Sequence, residues 1–383
     1  MTRQSGVDLT AVRTALEACR QEPARARSLP PAAYTDPTVH AWEQRAVFDR
    51  GWVGVGRSDR WPPGSMAPAT IGDVGVIVSR DTDGRLHAMA NTCRHRGAEV
   101  VVDAAECARV RCGFHGWTYA LDGRLVGAPQ MQGSSFDRAT HGLVTFACEE
   151  RHGFVFVSLE AEPPSLDDEL HGFAEIHAPW PLADLRTARR REFTVDCNWK
   201  AFAEVFNEYY HLPYVHPGSI DDTYGEPDPR DDTTGAYATQ FGSTEGTASL
   251  LDGARGDAFP PMPSLSGREA AGVRYTWLFP TLVTAIGTDS MWMYEVYPDG
   301  PDRCRCAQII AFPPETFAEA DFEARAAKYY ERGDVAIGED IPFLERQQRG
   351  LRSSFAQPGP FSHLEPSVAH FADWYAGRML EVD

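Results

Sequence analysis

A chain of 383 residues, 43% hydrophobic and 24% charged, is long enough for two domains and is composed like an ordinary soluble globular protein, not a disordered or fibrous one. Its formal charge of −19 disfavours nucleic acid or an anionic membrane surface as a partner. No run approaches about 18 apolar residues, so no membrane span is expected, and eight scattered cysteines without the spacing of a secreted disulfide framework point to a reducing cytoplasm.

Residues 1–45 read as a short amphipathic helix and a Pro-rich connector, with no apolar core of a secretion signal. From Trp52 onward, β-like runs at 52–56, 75–79 and 86–91 are separated by Gly, Pro and Asp clusters, the pattern of a small antiparallel β domain spanning 46–160. Inside it Cys93 and His95 form a Cys-x-His pair and Cys112 and His115 a Cys-x-x-His pair, with sixteen residues between His95 and Cys112. A structural zinc site usually pairs Cys with Cys and His with His, and a ferredoxin cluster wants four thiolates. A Rieske [2Fe-2S] centre wants two Cys on one iron and two His on the other, which matches this inventory. Cys107 lies between the loops at no such position and reads as structural. Alternating runs at 143–150 and 153–159 close the domain, and the Pro- and acid-rich stretch 161–170 reads as its boundary.

The remainder, 161–383, is organised around Asn198–Pro217, which holds Glu208, His211 and His216. Read alone it is a helix ended by Pro213, with Glu208 and His211 three apart on one face and His216 swinging toward the same point beyond the break. Two imidazoles and a distant carboxylate would make the facial triad of non-haem Fe(II); two satisfied histidines at a helix end is the competing reading. Candidate carboxylates Glu331, Asp334, Glu339, Asp340 and Glu345 cluster between Tyr329 and Phe355. Asp340, just before Pro342, is expected at a helix start, with Glu339 as its competitor. The segment 220–267, rich in Gly, Thr, Asp and Pro, reads as a long loop, a lid or a pocket wall. Strands follow at 273–287, 291–298 and 303–313, then helices at about 315–333, 339–355 and 365–380, so the fold class is α+β. Of the strand aromatics, Trp277, Phe279, Trp292 and Tyr294 are candidate receptors for a cationic substrate through cation–π attraction, and are otherwise core.

The sequences CRHRG and CGFHGWTYALDG closely resemble the cluster loops of the alpha subunits of Rieske non-haem iron oxygenases, with Gly113 and Phe114 where Pro and Tyr are commoner. The opening NWK, the Glu-Tyr-Tyr-His tail ending at His216, and the stretch 337–353 are similar to that family's iron-binding segments. The resemblance implies an all-β Rieske domain and a helix-grip catalytic domain. It implies a [2Fe-2S] cluster on Cys93, His95, Cys112 and His115, and Fe(II) on His211, His216 and Asp340. Glu208 resembles the acid that bridges an iron-bound His, here His211, to the partner subunit's His115, which implies head-to-tail subunits, a homotrimer. Glu in place of the commoner Asp at this bridge resembles the glycine betaine, carnitine and choline monooxygenase-like subgroup. Val205 stands where the family often has Asn.

The chain has no Gly-rich dinucleotide fingerprint, so electrons from NAD(P)H must come through a separate flavin/iron–sulfur reductase, with a ferredoxin as a candidate partner. The expected function is a terminal oxygenase that uses O2 to hydroxylate or N-demethylate a small substrate, including a quaternary ammonium or N-methyl compound. An aromatic-ring-hydroxylating dioxygenase and a pure electron-transfer protein are the alternatives.

Overall fold

The computed structural model describes residues 7–22, 24–132 and 134–382. They divide into two compact units, 48–166 and a larger one in which the described part of the N-terminal segment, up to 47, joins the chain from 167 onward. The start of the N-terminal segment, 1–6, lies outside the described residues. No helix among the described residues is long and apolar enough to cross a membrane.

The smaller unit is built on β strands, with two short 3-10 turns at Ser58–Arg60 and Arg138–Thr140. Its main sheet is antiparallel in the order Val53–Arg57, Phe154–Ser158, Thr145–Arg151, Leu86–Ala90, Val74–Arg80, Ser65–Ile71 and Ala105–Glu106. A second sheet is built from Arg109–Arg111, Thr118–Ala120 and Leu125–Gly127. The apolar faces that alternation predicts meet in one core, where Ile77 and Met89 of the main sheet pack with Trp117, Tyr119 and Leu125. Cys93 and Cys112 belong to the same core, which is why both thiols lie inward.

The larger unit is an antiparallel sheet in the order Arg186–Val195, Cys304–Phe312, Met291–Pro298, Leu282–Ile286, Gly272–Leu278, Tyr237–Thr244 and Tyr224–Pro227. Helix Trp199–Phe206 lies on Met291–Pro298, and helix Phe322–Leu351 packs on both Arg186–Val195 and Trp199–Phe206. Helix Pro366–Leu380 packs on Tyr237–Thr244 and on the N-terminal helix Leu9–Cys19. The N-terminal segment is also tied in by charge. The fully buried carboxylate of Glu43 accepts from the Lys200 ammonium, from Trp199 Nε1 at 2.8 Å and from Tyr375 Oη at 2.7 Å. A charge this deep is tolerable only with its partners in place.

Two expectations are corrected. The helices anticipated at 315–333 and 339–355 are one helix of 30 residues, Phe322–Leu351, with Pro342 inside it. Proline removes one hydrogen bond there, and the packing on both sides outweighs the loss. The segment 220–267 is not all loop, since it contains the buried strand Tyr237–Thr244. Its polar side chains hid the pattern: Thr239 Oγ1 donates to the Tyr275 carbonyl at 3.0 Å and lies 2.8 Å from Thr276 Oγ1.

Candidate metal centres

Cys93 and Cys112 open two matching turns. Gly97 N–H returns to the Cys93 carbonyl at 2.9 Å and Cys93 N–H goes to the Ala98 carbonyl at 2.8 Å. Gly116 N–H returns to the Cys112 carbonyl at 3.1 Å and Cys112 N–H goes to the Trp117 carbonyl at 2.8 Å. Each turn needs a left-handed residue, supplied by Gly97 at φ 73° and Gly116 at φ 74°. A Cβ on Gly116 would also stand 3.1 Å from the Arg111 guanidinium, so this turn has little room for another residue.

The turns bury both thiols, leave His95 half-buried and expose His115, with the two imidazoles edge to face at 4.5 Å. Cys93 Sγ lies 3.2 Å from Tyr119 Oη, and His95 Nδ1 is buried without a hydrogen-bond partner. Buried thiols and a bare ring nitrogen on paired loops are donors waiting for a metal group. A single ion would need three or more of them to converge. Among the described residues, the one group of donors that closes to within 4.8 Å lies elsewhere. Two pairs of donors held apart suit a two-iron cluster better than one zinc.

The convergent group is His211, His216 and Asp340. Helix Trp199–Phe206 begins at Asn198, whose side chain accepts Lys200 N–H at 3.0 Å, and ends where the Asn207 amide donates to the Ala203 carbonyl at 2.7 Å. Glu208 comes after that end, so it does not share a helix face with His211 as the spacing suggested. Instead its carboxylate closes the next turn: Oε2 accepts the N–H of Tyr210 and that of His211, the latter at 3.1 Å, and Oε1 lies 2.5 Å from His211 Nδ1. Pro213 does not break a helix either. It sits in the first turn of Leu212–Val215, where its missing N–H has no helical partner to lose. His211 precedes that turn and His216 follows it, which brings both rings to one side.

Asp340 was expected at a helix start and lies instead in the interior of Phe322–Leu351. Pro342 frees the Gly338 carbonyl, so the carboxylate leaves the helix where its ladder is interrupted. Glu339, its competitor as a metal-binding carboxylate, turns to the far side of the histidines. Its Oε2 lies 2.8 Å from His216 Nδ1 and accepts the Ser219 hydroxyl at 2.8 Å. Ser219 carried no signal in the sequence.

These partners fix the tautomers. A carboxylate accepts from N–H, so both Nδ1 atoms carry the hydrogen and both Nε2 atoms present lone pairs. The two Nε2 atoms face each other at 3.2 Å, with Asp340 Oδ1 at 3.1 Å from that of His216 and 3.7 Å from that of His211. Asp340 Oδ1 is buried without a donor. Three lone pairs aimed at one another repel unless a cation lies between them. Burial alone would lower the His216 pKa, yet Asp340 and Glu339 raise it, which shows that the surroundings favour positive charge. The residues present fit a two-His-one-carboxylate iron.

The three donors open onto a cleft with Phe202, Phe206, Tyr275, Trp292, Tyr294 and Arg332 in its walls. Of the four aromatics singled out in the sequence, Trp292 and Tyr294 line this cleft and Trp277 and Phe279 do not. Trp277 is fully buried and stacks on Phe371 at 3.9 Å, with Phe279 edge-on to the same ring at 5.2 Å, so this pair is core under helix Pro366–Leu380. Tyr275 points to the cleft although it is two residues from Trp277, because a strand pleat returns every second side chain to one face and the strand's surroundings then differ along its length.

The ring hydroxylating alpha subunit (catalytic domain) family matches residues 182–381, and the Rieske [2Fe-2S] domain family matches 51–146. The glycine betaine monooxygenase oxygenase subunit of Chromohalobacter salexigens is 31% identical to this chain over 390 residues, covering 92% of the chain and 86% of its own length. The chloroplastic choline monooxygenase of Arabidopsis thaliana is 29% identical, over 91% of this chain and 82% of its own. The quaternary ammonium Rieske monooxygenase CntA, solved with L-carnitine, shares the fold with a TM-score of 0.78 at 24% identity, covering 95% of this chain and 98% of that one. With two paired donor loops in one unit, three convergent donors in the other, and both units matched, the chain belongs to the ring-hydroxylating alpha subunits of the Rieske non-haem iron oxygenases and is the terminal oxygenase, carrying a [2Fe-2S] domain and a mononuclear-iron domain.

Proposed function

We propose that this oxygenase oxidises an N-methyl group of a quaternary ammonium or N-methylated substrate, with Cys93, His95, Cys112 and His115 holding the cluster and His211, His216 and Asp340 holding Fe(II). The observation that carries the reading is the cleft, where the donor triad opens between aromatic rings. Phe206 and Tyr294 meet edge to face at 5.2 Å, and Phe206 and Tyr275 at 5.4 Å, and all three rings line the cleft, the side-chain type that receives a cation by cation–π attraction. Relatives named for betaine and choline oxidation support the same class. When bound, the cluster supplies electrons singly and Fe(II) supplies the place where O2 is activated.

This chain's residues do the rest. The aromatic walls hold the onium group and exclude water, so that one methyl C–H faces the triad. Glu208 holds the His211 Nδ1 hydrogen on one oxygen and, besides lining the cleft, borders a second recess with Glu204 and Glu365. A carboxylate so placed suits a bridge to the partner subunit's His115 in a head-to-tail homotrimer, and the exposure of His115 agrees with that role. An NAD(P)H-dependent reductase would feed the cluster. None of the eight cysteines forms a disulfide, which suits the cytoplasm. Insertion of one oxygen atom into a methyl C–H consumes O2, two electrons and two protons and releases water. The N-hydroxymethyl ammonium then sheds formaldehyde and a proton, the C–N bond electrons staying on nitrogen, to leave the tertiary dimethyl amine.

The test is a turnover screen with a surrogate reductase, scoring O2 uptake and formaldehyde together on N-methylated amines and small aromatics. Formaldehyde in step with O2 is the expected result. A cis-diol from a ring substrate, with no formaldehyde from any amine, would replace this reading by aromatic dihydroxylation.

A further inference from the structure

Arg332 is a buried cation without an anion. It is 4% exposed and lies on the same helix as Asp340, with Ala336 between them, and all three residues line the cleft. The spacing of four places them on one helix face, one above another. Eight residues rise about 12 Å, so the cleft runs from a metal-binding carboxylate at one end, past a small residue that leaves room, to a guanidinium at the other.

Its partners are all neutral. Arg332 Nη2 donates to Tyr224 Oη at 2.7 Å, that hydroxyl lies 2.8 Å from Tyr275 Oη, and the guanidinium carbon sits 4.7 Å from the centre of the Trp292 ring. Nε is buried with no acceptor, and the side chains that act most strongly on this guanidinium are Tyr224, Tyr275 and Tyr294, with no carboxylate among them. Arginine cannot relieve such a position by losing its proton. An uncompensated buried charge is costly to a fold, so a cation kept here at the wall of a substrate cleft calls for an anion that arrives with the ligand. The planar fork of Arg is matched to a carboxylate, which can take two N–H groups at once. Trp292 has one face covered by Arg332, which leaves Phe202, Phe206, Tyr275 and Tyr294 to receive an onium group.

We infer that Arg332 is the counter-charge for a substrate carboxylate, so that the substrate is a betaine, with its quaternary nitrogen toward the histidines and its carboxylate toward this guanidinium. The inference rests on the N-methyl reading above and narrows it, because a quaternary alcohol such as choline has nothing for Arg332 to bind.

The test uses the iron-loaded holoenzyme under nitrogen and compares dissociation constants for trimethylammonio carboxylates with one to four methylenes and for their carboxamides, which keep the shape and lose the charge. The carboxylate of the best-fitting length should bind at least tenfold more tightly than its carboxamide. Arg332→Gln should bring that ratio toward one, with the cluster spectrum and iron content kept, and Arg332→Lys should retain part of it. Equal binding of acid and amide by the wild type, or an unchanged ratio in Arg332→Gln, overturns the inference. Should the variant not fold, the wild-type ratio decides alone. Formaldehyde release from onium substrates without any preference for the carboxylate would sink this inference and leave the N-methyl reading standing, whereas no binding or turnover of any onium compound would remove both.

Discussion

The two proposed metal sites of this oxygenase are assembled by different means. In the 48–166 unit all four proposed cluster donors come from two short turns, each closed by its own backbone hydrogen bonds and its own left-handed glycine. In the catalytic unit two histidines flank a four-residue helix, and the third donor arrives from the middle of a helix more than a hundred residues later. The first site is a local motif stapled to a β core; the second exists only after a sheet and two helices have packed. A local site should fail through its ligands alone, whereas a non-local site should also respond to the side chains that orient those ligands.

The largest effect that would sharpen this contrast is at the local site. Cys93→Ser should abolish the cluster, with loss of the visible absorption and of about two irons per chain. Retention of the spectrum would mean the donors are elsewhere. Asp340→Ala should lower turnover by at least about a thousandfold while leaving that absorption intact, since the sites are built separately. Glu208→Gln should keep both metals and slow re-oxidation of the reduced cluster about 10- to 100-fold in single-turnover kinetics. Unchanged re-oxidation would remove the bridge.

Smaller effects probe the supporting groups. Glu339→Gln takes the carboxylate from His216 Nδ1 and should weaken Fe(II) binding about tenfold, measured by metal titration, with no change at the cluster. The smallest effect is on stability. Burial pushes the Glu204 carboxyl up to about 7, against the lowering effects of Tyr34 and Lys200. A carboxyl raised in the folded state contributes stability that is complete below its unfolded pKa of 4.5 and is lost as pH climbs through about 7. Glu204→Gln should therefore melt increasingly above the wild type as pH rises from about 5 to about 8, by differential scanning calorimetry. A constant offset would show that this carboxyl does not titrate in that window.

The same contrast explains what was legible beforehand. The strands 291–298 and 304–312 follow from short, largely apolar runs bounded by turn residues, a property of neighbours in the chain, and both are buried almost end to end. The strand Tyr237–Thr244 escaped because Thr239 and Gln240 are buried yet hydrogen-bonded, so polarity there says nothing about exposure. Trp277 and Trp292 are equally large and aromatic, and no local pattern tells which of them meets Phe371 and which meets the cleft. Arg332 reads as an ordinary charge on a mostly polar helix until its surroundings are known.

From its residues alone, this protein's metal chemistry was determined: Cys and His at these spacings, with an acid and two histidines downstream, restrict the donors and so the cofactors. Tertiary structure alone decided the rest. It ran one helix through Pro342, set Glu339 behind a histidine and Asp340 in front of it, and buried Arg332 at the cleft. The reason is physical. Ligand identity is a property of side-chain chemistry, but the direction of a side chain and the charge it meets depend on which distant elements pack beside it.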